Sequence, residues 1–265
     1  MINYNMSRQQ VETSGRIGAT RQDLARILDE FYLYTDKEEQ SIGRWLSKDG
    51  FWESWVTSWM TKNIKAGMTC IDIGSNYGYY TRLMEYLAGK DGTVYSFEAN
   101  PELNNKIVSA IKDYKIKNVA DVKCYPLAVS DSKGFVTLSI PSTMIGGSTI
   151  VKGSQLPSEI AEELWDKEVN VESDMLDNLI TGHVDLIKID IEGSEPLAWK
   201  GMQNVLKNID VVVIEVGPYS PVEFMDEIYK NYNVTYINSN GDEDIMDRDF
   251  FNGLDDLTMA VLRKK

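Results

Sequence analysis

The spacing of hydrophobic residues changes near Met68 and divides the chain into two regions. Before this point, apolar residues recur at intervals of three and four, which predicts amphipathic helices. After it, short continuous apolar runs alternate with helical stretches, which is typical of a parallel sheet covered on both faces. We therefore predict a helical extension over residues 1–66 and an α/β domain over residues 67–265.

The amino-terminal extension is predicted to contain two helices. Thr20 and Asp23 resemble a capping box, and apolar residues follow at helical spacing, at Leu24, Ile27, Leu28 and Phe31. A second helix is predicted from Phe51 to Asn63, with tryptophans along one face. That face suits either docking on the core of the main domain or an aromatic wall of a binding site. As a unit, the extension is expected to form a lid or a dimer contact.

In the second region, five apolar runs predict parallel strands, at Thr69–Ile73, Thr93–Phe97, Val122–Val129, Val184–Ile189 and Asp210–Val216. Helices are predicted between them, at Tyr79–Ala88, Pro101–Tyr114 and Pro196–Lys207. Two closing strands are expected to pair antiparallel, at Val234–Asn238 and Leu257–Arg263. The acidic loop between the closing strands is predicted to be solvated, at Asp242, Glu243, Asp244, Asp247 and Asp249.

An insertion interrupts the alternation after the third strand. An extra strand is predicted at Phe135–Ile140, followed by a polar, glycine-hinged segment over about residues 141–168. Part of this segment, Ser158–Trp165, is predicted to be helical. Insertions of this kind often carry specificity, although a tolerated surface loop is the alternative.

The negative charge of the chain limits the classes of partner that it is expected to bind. Its 265 residues include 41 acidic and 27 basic side chains, for a formal net charge of −14. Such a surface repels polyphosphates and anionic lipids, so we expect neither nucleic-acid nor membrane binding. No apolar run approaches the roughly 18 residues of a membrane-spanning helix. Cys70 and Cys124 lie in strand-like runs and suit buried thiols in a reducing compartment, so a cytoplasmic protein is expected.

The strongest local signal is a strand that ends in a glycine turn and opens into a helix. Asp72 precedes Gly74 and Gly78, which are separated by three residues. A dinucleotide-binding loop would have a third glycine, and a carboxylate beside the loop would repel a pyrophosphate. The carboxylate instead suits a ligand with positive charge, such as the amino group and sulfonium of S-adenosylmethionine. We predict that Asp72, Gly74, Asn76, Gly78 and Tyr79 bind this cofactor.

Two further strand ends are predicted to complete the cofactor site. Glu98 ends the second strand, where an acidic residue accepts hydrogen bonds from ribose hydroxyls, and Asn100 follows it. The third strand ends in small residues, including Ala128 and Ser130, which are expected beside the adenine ring.

Charged residues gather at the end of the fourth strand, the edge at which open α/β sheets bind ligands. Strand alternation places Lys188, Asp190 and Glu192 on one side, and Glu215 ends the neighbouring fifth strand. Charges at the end of a central strand are costly unless they are paired or functional. We expect the three carboxylates to face one crevice, and a structural ion-pair cluster is the alternative.

Four segments together resemble the FkbM family of S-adenosylmethionine-dependent methyltransferases: Ile71–Thr81, Val94–Pro101, Asp185–Glu195 and Val213–Val216. The sequence Lys-Ile-Asp-Ile-Glu-Gly-Ser-Glu is the most specific part, and the resemblance covers roughly Met68 to Gly217. It implies a Rossmann-like class I methyltransferase fold with a seven-stranded, mostly parallel sheet. It also implies O-methylation, often of sugars, glycans or related natural products. The extension and the insertion lie outside the shared motifs and are expected to determine the acceptor.

Methyl transfer to a hydroxyl requires alignment of the acceptor and removal of its proton. Asp190 or Glu192 is predicted to receive that proton, Lys188 to orient the carboxylate or the acceptor, and Glu215 to complete the polar floor. Oxygen ligands from Asp190 and Glu215 would also suit Mg²⁺ or Mn²⁺. His183, the single histidine, precedes the fourth strand at the opposite end and is expected to be structural.

Two other functions stay open at the level of the sequence. N-methylation of a small molecule is one, since an amine acceptor has a weaker requirement for a base. A protein that binds S-adenosylmethionine without catalysis, such as a partner subunit, is the other.

Overall fold

The computed structural model describes residues 5–14, 24–36, 42–141, 145–151 and 167–265. Its regular elements in chain order are α1 (Arg8–Ser14), β1 (Leu24–Ile27), β2 (Phe31–Tyr34), α2 (Ile42–Asp49), α3 (Ser54–Asn63), β3 (Thr69–Ile73), α4 (Tyr79–Ala88), β4 (Thr93–Phe97), α5 (Pro101–Asp113), β5 (Asp121–Tyr125), β6 (Ala128–Val129), β7 (Gly134–Ile140), β8 (Lys167–Asp174), α6 (Leu176–Leu179), β9 (Val184–Ile189), α7 (Glu195–Lys200), β10 (Ile209–Val216), α8 (Val222–Asn231), β11 (Tyr232–Ile237), β12 (Glu243–Ile245), α9 (Arg248–Asn252) and β13 (Thr258–Lys264).

The main sheet contains eight strands within the described residues, in the order β12-β11-β13-β10-β9-β3-β4-β5. The strands from β10 to β5 are parallel, and β13, β11 and β12 pair antiparallel. Central strands are apolar along their length because helices cover both faces. The predicted α/β fold is therefore confirmed, with one strand more than the seven expected.

The additional strand is β12, which lies in the acidic segment that was predicted to be solvated. Glu243 accepts hydrogen bonds from Trp59 Nε1 at 2.8 Å and from Thr235 Oγ1 at 2.7 Å. The Arg263 guanidinium donates to both of its carboxylate oxygens, at 2.6 and 2.8 Å. These donors come from α3, β11 and β13 and hold Glu243 against all three, so the prediction of a solvated loop is wrong at Glu243.

The amino-terminal extension is helical only in part. β1 and β2 form an antiparallel hairpin over the residues for which the first helix was predicted. Leu28 and Asp29 form its turn with φ of 48° and 62°, and Ile27 and Phe31 are buried. Thr20 and Asp23 lie outside the described residues. The second predicted helix is confirmed as α3.

Two other predicted elements are shorter than expected. The third strand divides at Pro126, which has no amide hydrogen for the ladder, so that β5 stays in the main sheet. β6 joins a second sheet of order β6-β8-β7, in which β7 is the predicted extra strand. The helix predicted at Pro196–Lys207 ends at Lys200, and Gly201 caps it. Gly201 also packs so closely that a Cβ there would lie 1.9 Å from the Ser130 carbonyl oxygen.

The extension shares a core with the α/β domain. Val11 and Trp59 belong to the same buried cluster as Leu83 on α4 and Leu186 on β9. The two cysteines are unpaired thiols. Cys70 is buried, as predicted, whereas Cys124 is only half-buried, so the prediction of two buried thiols is wrong at Cys124. Among the described residues, no helix combines the length and the hydropathy needed to cross a membrane.

Candidate functional site

A cleft opens at the carboxyl ends of β3, β4 and β9, with a volume of about 880 Å³ that includes its solvent-open part. This size is within the range of small-molecule and cofactor sites. Eight of the thirteen predicted site residues line it: Gly74, Asn76, Tyr79, Glu98, Ala128, Lys188, Asp190 and Glu192. The other five, Asp72, Gly78, Asn100, Ser130 and Glu215, do not line it.

The glycine loop, residues 74–78 after β3, lies close to both neighbouring strands, β4 and β9. The amides of Gly74 and Ser75 donate to the carbonyl oxygen of Phe97 at the end of β4, at 3.0 and 3.1 Å. On the other side, a Cβ at Gly74 would lie 1.8 Å from the carbonyl oxygen of Asp190. Only glycine therefore allows the ends of β3 and β9 to approach so closely.

Glu98 and Asn76 present oxygen atoms on one wall of the cleft. Glu98 accepts hydrogen bonds from the amides of Asn76 at 2.6 Å and Asn100 at 2.8 Å. Burial raises the pKa of Glu98 to about 7, and the two amides oppose that shift. Asn76 has φ of 52°, and its buried Oδ1 has no hydrogen-bond partner among the described residues. This wall can accept hydrogen bonds from a ligand.

Asp72 lies behind the loop and not on its open face. Its side chain is fully buried and accepts a hydrogen bond of 2.6 Å from Thr81 Oγ1 on α4. Burial raises the pKa of Asp72, and the Lys188 ammonium opposes that shift. The expected contact between this carboxylate and a cationic ligand is therefore not part of the observed geometry.

The other predicted cofactor residues outside the cleft shape the backbone around it. Asn100 caps α5, since its Oδ1 accepts from the Glu102 amide at 3.0 Å. Gly78 precedes α4 with φ of 85°, and the Ser130 amide donates to the Asp174 carbonyl oxygen.

Lys188 is the basic residue on the opposite wall. Its buried ammonium donates to Asp190 Oδ2 at 2.9 Å and lies 4.8 Å from the ring centre of Tyr80. The Tyr80 hydroxyl in turn donates to Glu53 Oε2 at 2.8 Å. Glu53 belongs to the amino-terminal extension and was not among the predicted site residues. Through Tyr80 it is connected to the predicted charged pair of Lys188 and Asp190.

Two further carboxyl groups are close to Asp190. Glu192 adopts φ of 54°, and burial followed by the charges of Asp190 and Glu195 raises its pKa to about 8. Burial followed by the charge of Asp190 raises the pKa of Glu215 well above its usual range. Glu195 accepts from the Ile191 amide at 2.9 Å. The three predicted carboxylates interact, but Glu215 lies behind the cleft wall.

Aromatic side chains complete the wall near the extension. Trp52, Tyr77 and Tyr80 line the cleft, whereas Trp59 is buried in the core. Trp59 thus fits the docking of α3 on the core, whereas an aromatic wall for a ligand stays a prediction that Trp52, which precedes α3, could meet. The Tyr77 hydroxyl donates to Asp36 Oδ2, two residues after the end of β2, at 3.0 Å.

The second sheet brings the ends of the insertion to the cleft. Leu138, Ile145 and Thr149 line it, and the hydroxyls of Thr149 and Ser194 are 3.2 Å apart. The predicted helix Ser158–Trp165 lies outside the described residues.

Potential metal ligands other than Asp190 and Glu215 lie at the end of the main sheet opposite the cleft. Within the described residues, His183, Asp185 and Asp210 form a group of three. His183 Nε2 is 3.2 Å from Asp210 Oδ2, and its side chain is 55% exposed. The position of His183, opposite the cleft, is as predicted.

The sequence profile of the methyltransferase FkbM domain matches residues 72–236, which is more than half of the chain. The chain belongs to the FkbM methyltransferase family. This result confirms the predicted family and, with it, the class of S-adenosylmethionine-dependent methyltransferases. The FkbM match includes Glu98, Asp190 and Glu215, whereas Trp52 and Glu53 precede it.

Solved structures resemble this FkbM methyltransferase only distantly. Methyltransferase FkbM from Methylobacillus flagellatus KT is 13% identical with a TM-score of 0.44, over 74% of this chain and 44% of that one. The chain thus spans less than half the length of that relative. An S-adenosylmethionine-dependent O-methyltransferase from Thermotoga maritima is 13% identical, with a TM-score of 0.41 and coverage of 80% and 64%. No curated protein matches the chain.

The cleft of this FkbM methyltransferase fits the family's cofactor. The Asn76 Oδ1 atom is buried without a partner, and the Glu98 carboxylate lines the same wall. Both atoms are acceptors, which suits the hydroxyl and amino hydrogens of S-adenosylmethionine. The glycine loop leaves room for a ligand to approach the backbone.

Proposed function

We propose that this FkbM methyltransferase methylates a hydroxyl group of a sugar, glycan or related natural product, with S-adenosylmethionine as methyl donor. The layout of the cleft carries the proposal. One wall has the acceptor atoms of Glu98 and Asn76, and the other has Asp190 and Glu192 around the Lys188 ammonium. One end can thus hold a nucleoside while the other holds and deprotonates a hydroxyl.

S-adenosylmethionine, when bound, supplies an electrophilic methyl group on a sulfonium. The Glu98 carboxylate is proposed to hold the ribose hydroxyls, Asn76 Oδ1 to accept from a polar hydrogen, and Ala128 to contact the adenine ring. Gly74 and Tyr79 shape the adjoining wall. Asp72, Gly78, Asn100 and Ser130 are proposed to act through the shape of the loops and not by contact.

The acceptor is proposed to bind beside Asp190. A sugar hydroxyl is a weak nucleophile at neutral pH and needs a positioned base, for which Asp190 and Glu192 are candidates in the cleft. Lys188 fixes the Asp190 carboxylate, and Glu215 supports this end from behind. Trp52 from the extension offers an aromatic face to a sugar ring, which favours a lid role for the extension over a dimer contact.

An excess of carboxylates at this end also supports a second candidate, N-methylation of an amine. A protonated amine would be attracted by Asp190 and its neighbours, but it must lose a proton before it reacts. The predicted binding of Mg²⁺ or Mn²⁺ by Asp190 and Glu215 has no support from the cleft, because Glu215 does not line it. The free thiols of Cys70 and Cys124 support the proposal that the protein acts in a reducing, cytoplasmic compartment.

The first test is isothermal titration with S-adenosylmethionine and S-adenosylhomocysteine, with NAD as a control. Binding of the first two and not of NAD is expected, and absence of binding to folded protein would refute the proposal. Transfer of tritium from labelled S-adenosylmethionine to methyl glycosides and matched amino glycosides then separates hydroxyl from amine acceptors. Parallel assays with EDTA or added Mg²⁺ test the metal.

The charged group is tested with Asp190→Asn and Glu192→Gln. A variant that binds S-adenosylhomocysteine normally but transfers methyl groups slowly supports a role in the chemical step. Normal turnover in both variants would remove both residues as the base.

A further inference from the structure

The glycine loop has a backbone conformation that is unfavourable without support. Three of its residues have positive φ: Gly74 at 83°, Asn76 at 52° and Gly78 at 85°. Asn76 carries a side chain, so its left-handed conformation has a cost that the surrounding structure must offset. On the side of β4, the Glu98 carboxylate accepts a hydrogen bond from the Asn76 amide at 2.6 Å. The loop therefore depends on contacts outside itself, and Glu98 supplies one of them.

The amino-terminal extension supplies another contact, at Tyr77. This residue lies between the left-handed Asn76 and Gly78, is buried and lines the cleft. Its hydroxyl donates to Asp36 Oδ2 at 3.0 Å. The same Asp36 oxygen pairs with the ammonium of Lys106 on α5, and that ammonium lies 5.3 Å from the centre of the Tyr77 ring. One carboxylate of the extension thus joins the glycine loop to the helix that follows β4.

The core of the protein fixes the position from which Asp36 reaches the loop. Leu33 on β2 belongs to the same buried cluster as Tyr77 and Leu103. Leu103 lines the cleft from α5, about one turn before Lys106. The side chain of Asp36 is 40% exposed and that of Lys106 is 26% exposed, so their ion pair by itself adds little stability. The contact of Asp36 with the buried Tyr77 is therefore the one with a consequence for the cleft.

We propose that Asp36 is a positioning residue that acts through the Tyr77 hydroxyl to hold the glycine loop in the conformation that binds S-adenosylmethionine. This inference rests on the proposed function and adds a residue that precedes the FkbM match. Asp36 does not line the cleft and touches neither the ligand nor the reacting atoms. It changes the fraction of molecules whose loop is ready to bind, and a smaller fraction weakens the apparent affinity by the same factor.

The test removes the Tyr77 hydroxyl and keeps its ring, and it needs no known acceptor. Tyr77→Phe should weaken the binding of S-adenosylmethionine and S-adenosylhomocysteine about fivefold in isothermal titration, because one net hydrogen bond that holds the loop is lost. Both ligands should lose the same factor, since the loop acts on the part of the molecule that they share. Urea unfolding of each variant verifies that it is folded.

Tyr34→Phe is the matched control. The Tyr34 hydroxyl donates to Asp113 Oδ2, also at 3.0 Å, and likewise joins the hairpin to α5. Neither Tyr34 nor Asp113 lines the cleft. Tyr34→Phe should therefore change the affinity for either ligand by less than about twofold, although it removes a hydroxyl with a similar partner.

Variants of Asp36 test the carboxylate and do not require Tyr77→Phe to fold. Asp36→Ala should weaken both ligands as Tyr77→Phe does. Asp36→Asn keeps an oxygen that can accept from the Tyr77 hydroxyl, so its affinities should stay within about twofold of the wild type. In the Asp36→Ala protein, Tyr77→Phe should have no further effect on affinity, because the two substitutions remove the same hydrogen bond.

The outcomes separate the two proposals. If the wild-type protein binds neither ligand, the proposed function fails. If it binds both, and Asp36→Ala weakens them by less than about twofold or no more than Asp36→Asn, the role of Asp36 fails while the proposed function stands. An equal loss in Tyr34→Phe and Tyr77→Phe would indicate a general loosening of the extension and would also overturn that role. So would a further loss from Tyr77→Phe in the Asp36→Ala protein.

Discussion

Gly74→Ala should destabilise the protein because it forces two strand ends apart. The new Cβ would lie 1.8 Å from the carbonyl oxygen of Asp190 and 2.8 Å from Ile191 Cγ2. A main-chain oxygen cannot rotate away, so the overpacking cost should reach the upper part of the usual range, about 3 kcal/mol. The φ of +83° adds about 1–2 kcal/mol for a residue with a side chain. We expect a total loss of about 4–5 kcal/mol in the free energy of unfolding.

Gly67→Ala is the matched control. Gly67 has φ of +88° but nothing within 4 Å of an added Cβ, so it carries the backbone cost of about 1–2 kcal/mol alone. In urea unfolding with a slope of about 3 kcal/mol/M, Gly74→Ala should lower the midpoint by more than about 1 M and Gly67→Ala by about half of that or less. Gly74→Ala should also weaken the binding of S-adenosylhomocysteine, because the added Cβ displaces Asp190, which lines the cleft. Equal midpoints for the two variants would refute the reasoning.

Three further predictions concern carboxyl groups that are buried or half-buried. Glu98→Gln should weaken the binding of S-adenosylmethionine and S-adenosylhomocysteine alike, by about 10- to 100-fold in isothermal titration, since hydrogen bonds to a charged group contribute about 1.5–3 kcal/mol. A loss of affinity below threefold would exclude the ribose contact. Glu243→Gln should lower the free energy of unfolding by about 1–3 kcal/mol, because it breaks the charged contact with Arg263, and an unchanged urea midpoint would contradict this. Burial raises the pKa of Glu85 and Glu195 from 4.5 to about 7, so the folded state binds protons more tightly and the thermal midpoint should fall as pH rises from about 5 to 8. A midpoint that rises over that interval would show that other groups dominate.

The parallel core of the fold was predictable because its signals are local. Continuous apolar runs such as Val184–Ile189 fit no surface element, and Gly74 and Gly78 separate a strand from a helix. The hairpin was missed because Leu24, Ile27, Leu28 and Phe31 fit the spacing of a helix equally well. Its turn has positive φ at Leu28 and Asp29, where a sequence rule expects asparagine or glycine.

The site was predictable to the extent that strand ends determine it. Glu98, Lys188, Asp190 and Glu192 line the cleft because β4 and β9 flank β3 in the parallel sheet, so their carboxyl ends lie at the same edge. Asp72 shows the limit of this reasoning, since its position in β3 did not reveal that its side chain points into the interior toward Thr81. Glu53 had no signal in the sequence, because its charged neighbours Lys188 and Asp190 lie more than a hundred residues further along the chain.

The pairing of β3 with β9 has a consequence for the order of folding. Asp72 lies opposite Lys188 in this ladder, so more than a hundred residues must be made before the two strands can meet. β3, β4 and β5 can pair earlier, since they end at Tyr125, and until β9 arrives one edge of β3 has no partner in the main sheet. Long-range parallel pairing is slow, and an unpaired apolar edge invites aggregation. During synthesis, the chain therefore passes through a stage in which the cleft does not yet exist and the unpaired edge of β3 is accessible to chaperones.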